Sequence, residues 1–431
     1  MRTRTLLILL AAILVSVSSR ATGQSGSKHL PSTAYAIPKH TAPEGEGYFA
    51  IIEGHNQRLY IGTHANAVNS WLVEFDPVKE KMDVVVDAHA AIGTDVTGFG
   101  AQSKIHTRNN VGKSGKIYFA TKQGYPAKGE LRLAYPGGYP MVYDPATQTT
   151  KVYPIPVPHQ GIISITPDES HGLAYVSTCS DGRPIESSHF LALDLKTEKY
   201  TDFGDTEHLY AFIVVDHAGR AYHPLRGGGI ARYNPDTKEL DRLKQTIDGQ
   251  APPADSHLAD EYSHPINWDI SSDRKTLYAV PMSGNALYAY DLTSTGDTLP
   301  GRTIGPLVVD GQRVDCRALC VGPTGTVWCA VTEKRDKRHR QPYLIRYRPE
   351  KDDRPVNLGL ITVSNPDFTE FHDQDGKQLR YHHGFGKLDD SKTVVPRHVL
   401  LGVCESKTGD VYVLAISPYT VLRVHRKTLH N

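Results

Sequence analysis

Seven times along the chain a short polar turn is followed by one or two apolar residues, an aromatic and a further small or hydrophobic run. The aromatics are Tyr60, Tyr118, Tyr175, Tyr222, Tyr278, Trp328 and Tyr412. The turns before them read GHNQR, GKSGK, DESHG, DHAGR, SDRKT, GPTGT and SKTGD. Successive aromatics lie 58, 57, 47, 56, 50 and 84 residues apart. A strand–turn–strand unit repeated at this period packs on copies of itself, so a chain of 431 residues needs no single large core. Seven such units imply an all-β, seven-bladed β-propeller of four-stranded blades. Residues at one register of every unit then converge on one mouth of a central channel.

Within each unit the strand before the turn is the innermost, and the strand carrying the aromatic is the second. A third strand ends in a signature such as FDP (75–77), YDP (143–145) or YNP (233–235), whose Asp/Asn-Pro pairs start turns. The last unit supplies three strands and then the chain stops. The spare segment Thr33–Ile37 is expected to supply the fourth and close the ring, removing two open edges. The long interval before Tyr412 holds an insertion near 367–392, rich in Asp, His, Gly and Lys. It reads as a loop excursion.

Residues 1–23 carry Arg2 and Arg4, an apolar run from Leu6 to Val17, and the small-x-small pattern Ala21-Thr22-Gly23. This is the pattern of a secretory signal peptide, too short for a confident membrane span. It predicts a secreted or periplasmic protein, with 24–431 as one domain and no membrane insertion. The formal charge is +1, and loss of the three arginines in 1–23 brings it to about −2. Near neutrality argues against nucleic acid as partner. The oligomeric expectation is a monomer. Of five cysteines, Cys320 and Cys329 flank the PTG turn and are expected to face each other. A bridge and a pair of buried small apolar residues both fit there, the second better.

The connections that return to the innermost strands are long and polar, so that face is the functional one. Its innermost-strand entrances carry Gln102 and His106, His159 and Gln160, His208 and Tyr210, His264 and Asn267, Asp315 to Arg317, and Arg397 and His398. Five of seven units place a His there. Loops after the second strands add His64 and Asn66, then Lys122, Gln123, Tyr125, Arg132 and Tyr135. Further on come Arg183, His189, His223, Arg226 and the basic run 334–340. A mouth rich in His, Arg, Lys and Tyr and poor in carboxylates suits an anionic ligand. It offers no paired acids for glycoside hydrolysis and no nucleophile elbow. β-Elimination on a uronic acid fits, because cations would stabilise charge building on the C6 carboxylate. Each His taken singly also fits a structural hydrogen bond. Tyr210 also fits a core aromatic, Arg226 a surface ion pair, and 334–340 a solvated loop. Clustered His also suits a divalent metal. His264, Cys316 and His398 would take Zn²⁺, and Gln102, His106 and His159 a harder ion such as Ca²⁺ or Mn²⁺. No organic cofactor is indicated.

The stretch AQSKIHTRNNVGKSGKIYFATKQG followed by YPGGYPMVYDP resembles exported bacterial propellers related to ulvan lyases, polysaccharide lyases that act beside uronic acids in sulfated glycans. More distantly the chain is similar to oligogalacturonate lyases, which use a metal-bound carboxylate. The resemblance implies an anionic polysaccharide substrate, His106 in KIHT as a neutralising residue, Tyr210 in HLYAF as base and acid, and Arg226 in HPLRGGG as an assisting cation. A second neutralising His is expected where this chain has Lys122-Gln123. Lys122 and Gln123 are therefore assigned to the carboxylate, with His159, His208, Gln102, Tyr125 and Arg183 as further substrate contacts. A propeller that binds glycan or protein without cleaving is the rival from another class. A lyase for a cyclic ester, as in streptogramin-inactivating propellers, would want a His–Glu pair with a metal, and no Glu stands out at the mouth.

Overall fold

The computed structural model describes residues 28–131, 133–180, 187–206, 212–252, 266–308, 314–334, 340–365, 384–388 and 393–429. The segment 1–23 and the candidates Arg132, Arg183, His208, Tyr210 and His264 lie outside the described residues, as does most of the insertion.

Each turn of the repeat closes an antiparallel meander. The first runs Gly47–Glu53, Leu59–Thr63, Trp71–Asp76 and Lys81–Asp87. The second has an interrupted inner strand, Lys104–Ile105 then Asn110–Val111, followed by Ile117–Lys122, Pro140–Asp144 and Thr149–Val152. The third begins Gly161–Asp168 and Leu173–Cys179. Similar meanders cover 214–247, 266–306 and 314–363, and the last starts Gly402–Glu405, Val411–Ala415 and Thr420–Val424. The expected N-terminal partner is present and longer than anticipated. His29–Ala36 pairs antiparallel with Thr420–Val424, in the register Ser32↔Val424 to Ala36↔Thr420. It also runs parallel to Val356–Val363.

The repeated aromatic is buried for a stated reason. Tyr60 donates its hydroxyl to Glu74 Oε2 (2.7 Å), Tyr118 to Glu169 Oε1 (2.8 Å) and Tyr222 to Asp216 Oδ2 (2.9 Å). In these three the ring packs in the apolar core while its polar tip is satisfied by a carboxylate. Gly115 and Gly409 hold matching turn positions at φ 86°, which a side chain resists.

Apolar clusters lie between consecutive meanders. Tyr118 and Val142 of the second pack on Ile165 and Val176 of the third. Ile61 and Phe75 of the first pack on Tyr412 and Val421 of the last. The chain's two ends are therefore joined both by strand pairing and by core contact. Within the insertion, Phe385–Lys387 pairs with Val394–Pro396, which in turn pairs with Val363.

The cysteines differ from the sequence expectation. Cys320 is opposite Trp328, and Cys329 is opposite Leu319. That one-residue offset sends the two thiols to opposite faces of the sheet. Cys329 packs in the cluster with Cys316, and Cys320 packs in the next one. All five cysteines are buried and none forms a disulfide, as the reading of buried small apolar residues expects. Contact with Cys316, then burial, pushes the Cys329 thiol well above its usual range.

Arg108 ties three meanders together. From the second meander its guanidinium donates to the Trp268 carbonyl, to Asp269 Oδ2 (2.9 Å) and to the Leu319 carbonyl (2.6 Å).

Candidate functional site

The second meander opens with Lys104-Ile105-His106. Lys104 is directly opposite Lys122 in the strand pair, and an isolated bridge joins it to His64 on the other side. Strand alternation sends Lys104 and His106 to one face and Ile105 to the core. Lys104, Lys122, His106, Gln123 and His64 are all buried.

Two tyrosines cover this group. Tyr48 stacks on His106 with ring centroids 3.9 Å apart and planes at 30°. Lys104 Nζ sits 3.5 Å from the Tyr125 ring centroid and 4.9 Å from that of Tyr48. The two hydroxyls meet at 2.6 Å. A cation held over aromatic faces keeps part of the stabilisation it loses with water. Asn66 fixes the Tyr125 backbone, accepting from its N–H (2.6 Å) and donating to its carbonyl (3.3 Å). A Cβ at Gly161 would lie 2.4 Å from Lys122 Cγ and 2.5 Å from Gln123 Oε1, so only glycine lets these side chains lie on that backbone.

Charge within the cluster is divided unevenly. Burial first, then the positive charges of Lys122 and Lys104, hold the His106 imidazole well below its ordinary range. His106 is thus neutral at neutral pH, and the cationic work assigned to it falls to Lys104 and Lys122. Glu46 places a carboxylate beside the cluster, its Oε2 3.5 Å from His64 Nδ1. His64, with help from Lys104, keeps the Glu46 carboxyl below its usual value against the opposing effect of burial.

The depressed His106 value has a consequence for stability. The unfolded imidazole protonates near pH 6.5 and the folded one only well below. The unfolded chain therefore binds more protons as pH falls from about 6.5. The His106 contribution is full above that pH and is lost as pH falls toward the folded value, at up to about 1.4 kcal/mol per pH unit. His106→Gln should flatten this acid limb in urea midpoints measured between pH 7 and 5. An unchanged slope would place the titration elsewhere.

The remaining described candidates have other duties. Gln102 accepts from the Tyr135 hydroxyl (2.7 Å) and donates to the Gly137 carbonyl (2.9 Å). Its own N–H donates to His89 Nε2 (3.0 Å). These bonds consume its amide in fastening the long loop. His159, at φ 65°, donates from Nδ1 to the Tyr135 carbonyl (2.8 Å) and fastens the same loop. Tyr125 is half exposed. Arg226 is exposed at the Arg226–Gly228 turn. Cys316 lies among apolar side chains with its thiol toward the Ala318 carbonyl (3.8 Å). The His398 carbonyl accepts from Thr332 (3.3 Å). Among the described residues no three His, Cys, Asp or Glu side chains are grouped to hold a metal ion.

The sequence reading missed Lys104, Tyr48 and Glu46. Lys104 was legible, since it sits two residues before His106 on a strand and shares its face. Tyr48 and Glu46 come from another meander, and no local pattern marks them.

This arrangement belongs to a β-propeller. The streptogramin B lyase structure matches over 91% of this chain and 96% of its own at 12% identity, with a TM-score of 0.54. The Cps50 (Swd1) β-propeller domain of Myceliophteria thermophila matches over 92% and 100% at 10% identity, with a TM-score of 0.51. The extracellular domain of the hybrid two-component system BT4673 from B. thetaiotaomicron matches over 91% of this chain and 39% of its own at 8% identity, TM-score 0.50. These likenesses define the fold alone. No family model matches the sequence, and no curated protein matches it. Among the described residues no helix is long and apolar enough to cross a membrane.

Proposed function

We propose that the protein is an exported, seven-bladed propeller that cleaves a uronate-containing anionic polysaccharide by β-elimination. The observation that carries the proposal is the facing pair Lys104 and Lys122, beside a neutral His106 and under Tyr48 and Tyr125. Like charges directly opposite in a sheet repel, and a carboxylate between them would offset that repulsion. As the C5 proton leaves, negative charge spreads onto the C6 carboxylate, where the two ammonium groups stabilise it. The C4–oxygen bond then breaks with its electron pair on the leaving oxygen, and a C4–C5 double bond forms. Tyr210 is the assigned base and acid on resemblance alone, with Arg226 assisting. Gln123 and His106 orient the carboxylate as neutral donors. The blade count rests on the seven turns and on the contact of the last meander with the first. Export rests on residues 1–23.

The test is the ultraviolet absorbance of the unsaturated uronate product, followed on a panel of uronate polysaccharides with and without chelator. Rising absorbance insensitive to chelator is expected. A requirement for metal would favour the oligogalacturonate-lyase type. A flat trace with retained polymer binding would favour a propeller that binds without cleaving, a reading that the burial of both lysines supports.

The His64–Glu46 pair supports one further reading, since it supplies the carboxylate that a lyase for a cyclic ester was expected to lack. Streptogramin B belongs in the same panel for that reason.

A further inference from the structure

A second cationic cleft lies at the corresponding end of the 314–363 meander, away from the Lys104 cluster. It encloses about 240 Å³ and is lined by Arg317, Lys334, Arg340, Asp315, Thr332 and Ser283. Lys334 ends the strand Val327–Lys334 and Arg340 begins Arg340–Tyr347, and the register sets them directly opposite each other. By strand alternation Glu333 turns to the other face. Among the described lining residues Asp315 is the one carboxylate, and it accepts from Arg317 Nε at 3.0 and 3.2 Å. Among the described residues neither Lys334 nor Arg340 has an ion-pair partner. Like charges opposed in a ladder cost stability unless an anion comes between them. The Thr332 side chain adds a hydroxyl beside them, and the Asn267 side chain braces the backbone by donating to the Arg317 carbonyl (2.7 Å).

We infer that this cleft binds an oxyanion, a sulfate, phosphate-ester or carboxylate group, carried on a polymer chain. Arg and Lys in this setting make charge-assisted hydrogen bonds to such a group. The cleft is large enough for one charged substituent and its sugar carbon, not for a run of sugar rings. Its place at the same strand ends as Lys122 lets one chain lying across the mouth reach both sites. The oxyanion rests on register and lining alone. Only the polymer as its carrier rests on the function proposed above.

The experiment uses the full chain and its K334Q/R340Q variant, in two binding assays that need no turnover. The first is thermal stabilisation by inorganic sulfate against chloride at equal ionic strength. The second is retardation in gels containing dextran sulfate. Removal of a like-charge pair should leave the variant at least as stable as wild type. The expected result is a smaller sulfate-specific stabilisation in the variant and a roughly tenfold weaker interaction with dextran sulfate. Loss of the sulfate effect with unchanged dextran sulfate retardation overturns the polymer and leaves a site for free oxyanions. Weaker retardation with an unchanged sulfate effect overturns the built site in favour of diffuse charge. Equal behaviour of both proteins in both assays overturns the inference altogether. None of these outcomes depends on whether the protein cleaves uronates.

Discussion

Lys104→Met and Lys122→Met should each lower uronate cleavage by about 10²–10³-fold, the cost of removing one preorganised charge from a developing anion. Methionine keeps most of the aliphatic stem and removes only the ammonium group. Lys104 is the sharper case, because its Nζ lies between the Tyr48 and Tyr125 rings and the change leaves those rings in place. The loss should fall mainly on kcat, since charge on the carboxylate grows toward the transition state. Both variants should melt as single cooperative units with the far-ultraviolet circular dichroism of wild type. Cleavage within threefold of wild type in both would remove the cluster from the mechanism and leave the proposed chemistry without its anion site.

Arg108→Ala should cost about 3 kcal/mol of stability, a large effect for one side chain. The guanidinium reaches residues 160 and 211 positions away along the chain. Its loss strands the Trp268 and Leu319 carbonyls and weakens the hold on Asp269, which among the described residues keeps the N–H groups of Ile270 and Val321. Arg108 and Asp269 side chains are 16% and 23% exposed, so solvent screens the pair only in part. Arg108→Met retains the packing against Phe212 and should recover little, because the loss lies in unpaired polar groups and not in volume. Urea midpoints of the three proteins measure this directly. A loss under about 1 kcal/mol would mean that water replaces the arginine across the centre.

The repeat made the meanders legible, because a turn followed by a buried tyrosine is a local pattern with a local cause. The same reasoning found the pairing of the N-terminal segment, since three strands without a fourth leave an edge that something must cover. It erred at Cys320 and Cys329, where counting outward from the turn was off by one residue in register. That error moves a side chain to the opposite face, so a symmetric spacing in sequence became two thiols in different cores.

The candidate site was legible in part where its residues share a meander. His106, Lys122 and Gln123 were chosen for it, and the structure brings them together at the ends of two paired strands. Gln102 and His159 were chosen on residue type and register, and their hydrogen bonds show them holding the long loop to Tyr135 and Gly137. Residue type alone does not distinguish a ligand-facing imidazole from one already bonded to a carbonyl.

By itself the sequence determined the all-β meanders, the tyrosine packed between them and the strand that joins the two ends, because each follows from spacing along the chain. Only the tertiary structure decided which charges meet. Lys104 faces Lys122 across two strands of the second meander, Glu46 lies beside His64 at the ends of two strands of the first, and Tyr48 of the first covers His106 of the second. The electrostatics of a site depend on distances across the fold that residue spacing does not encode.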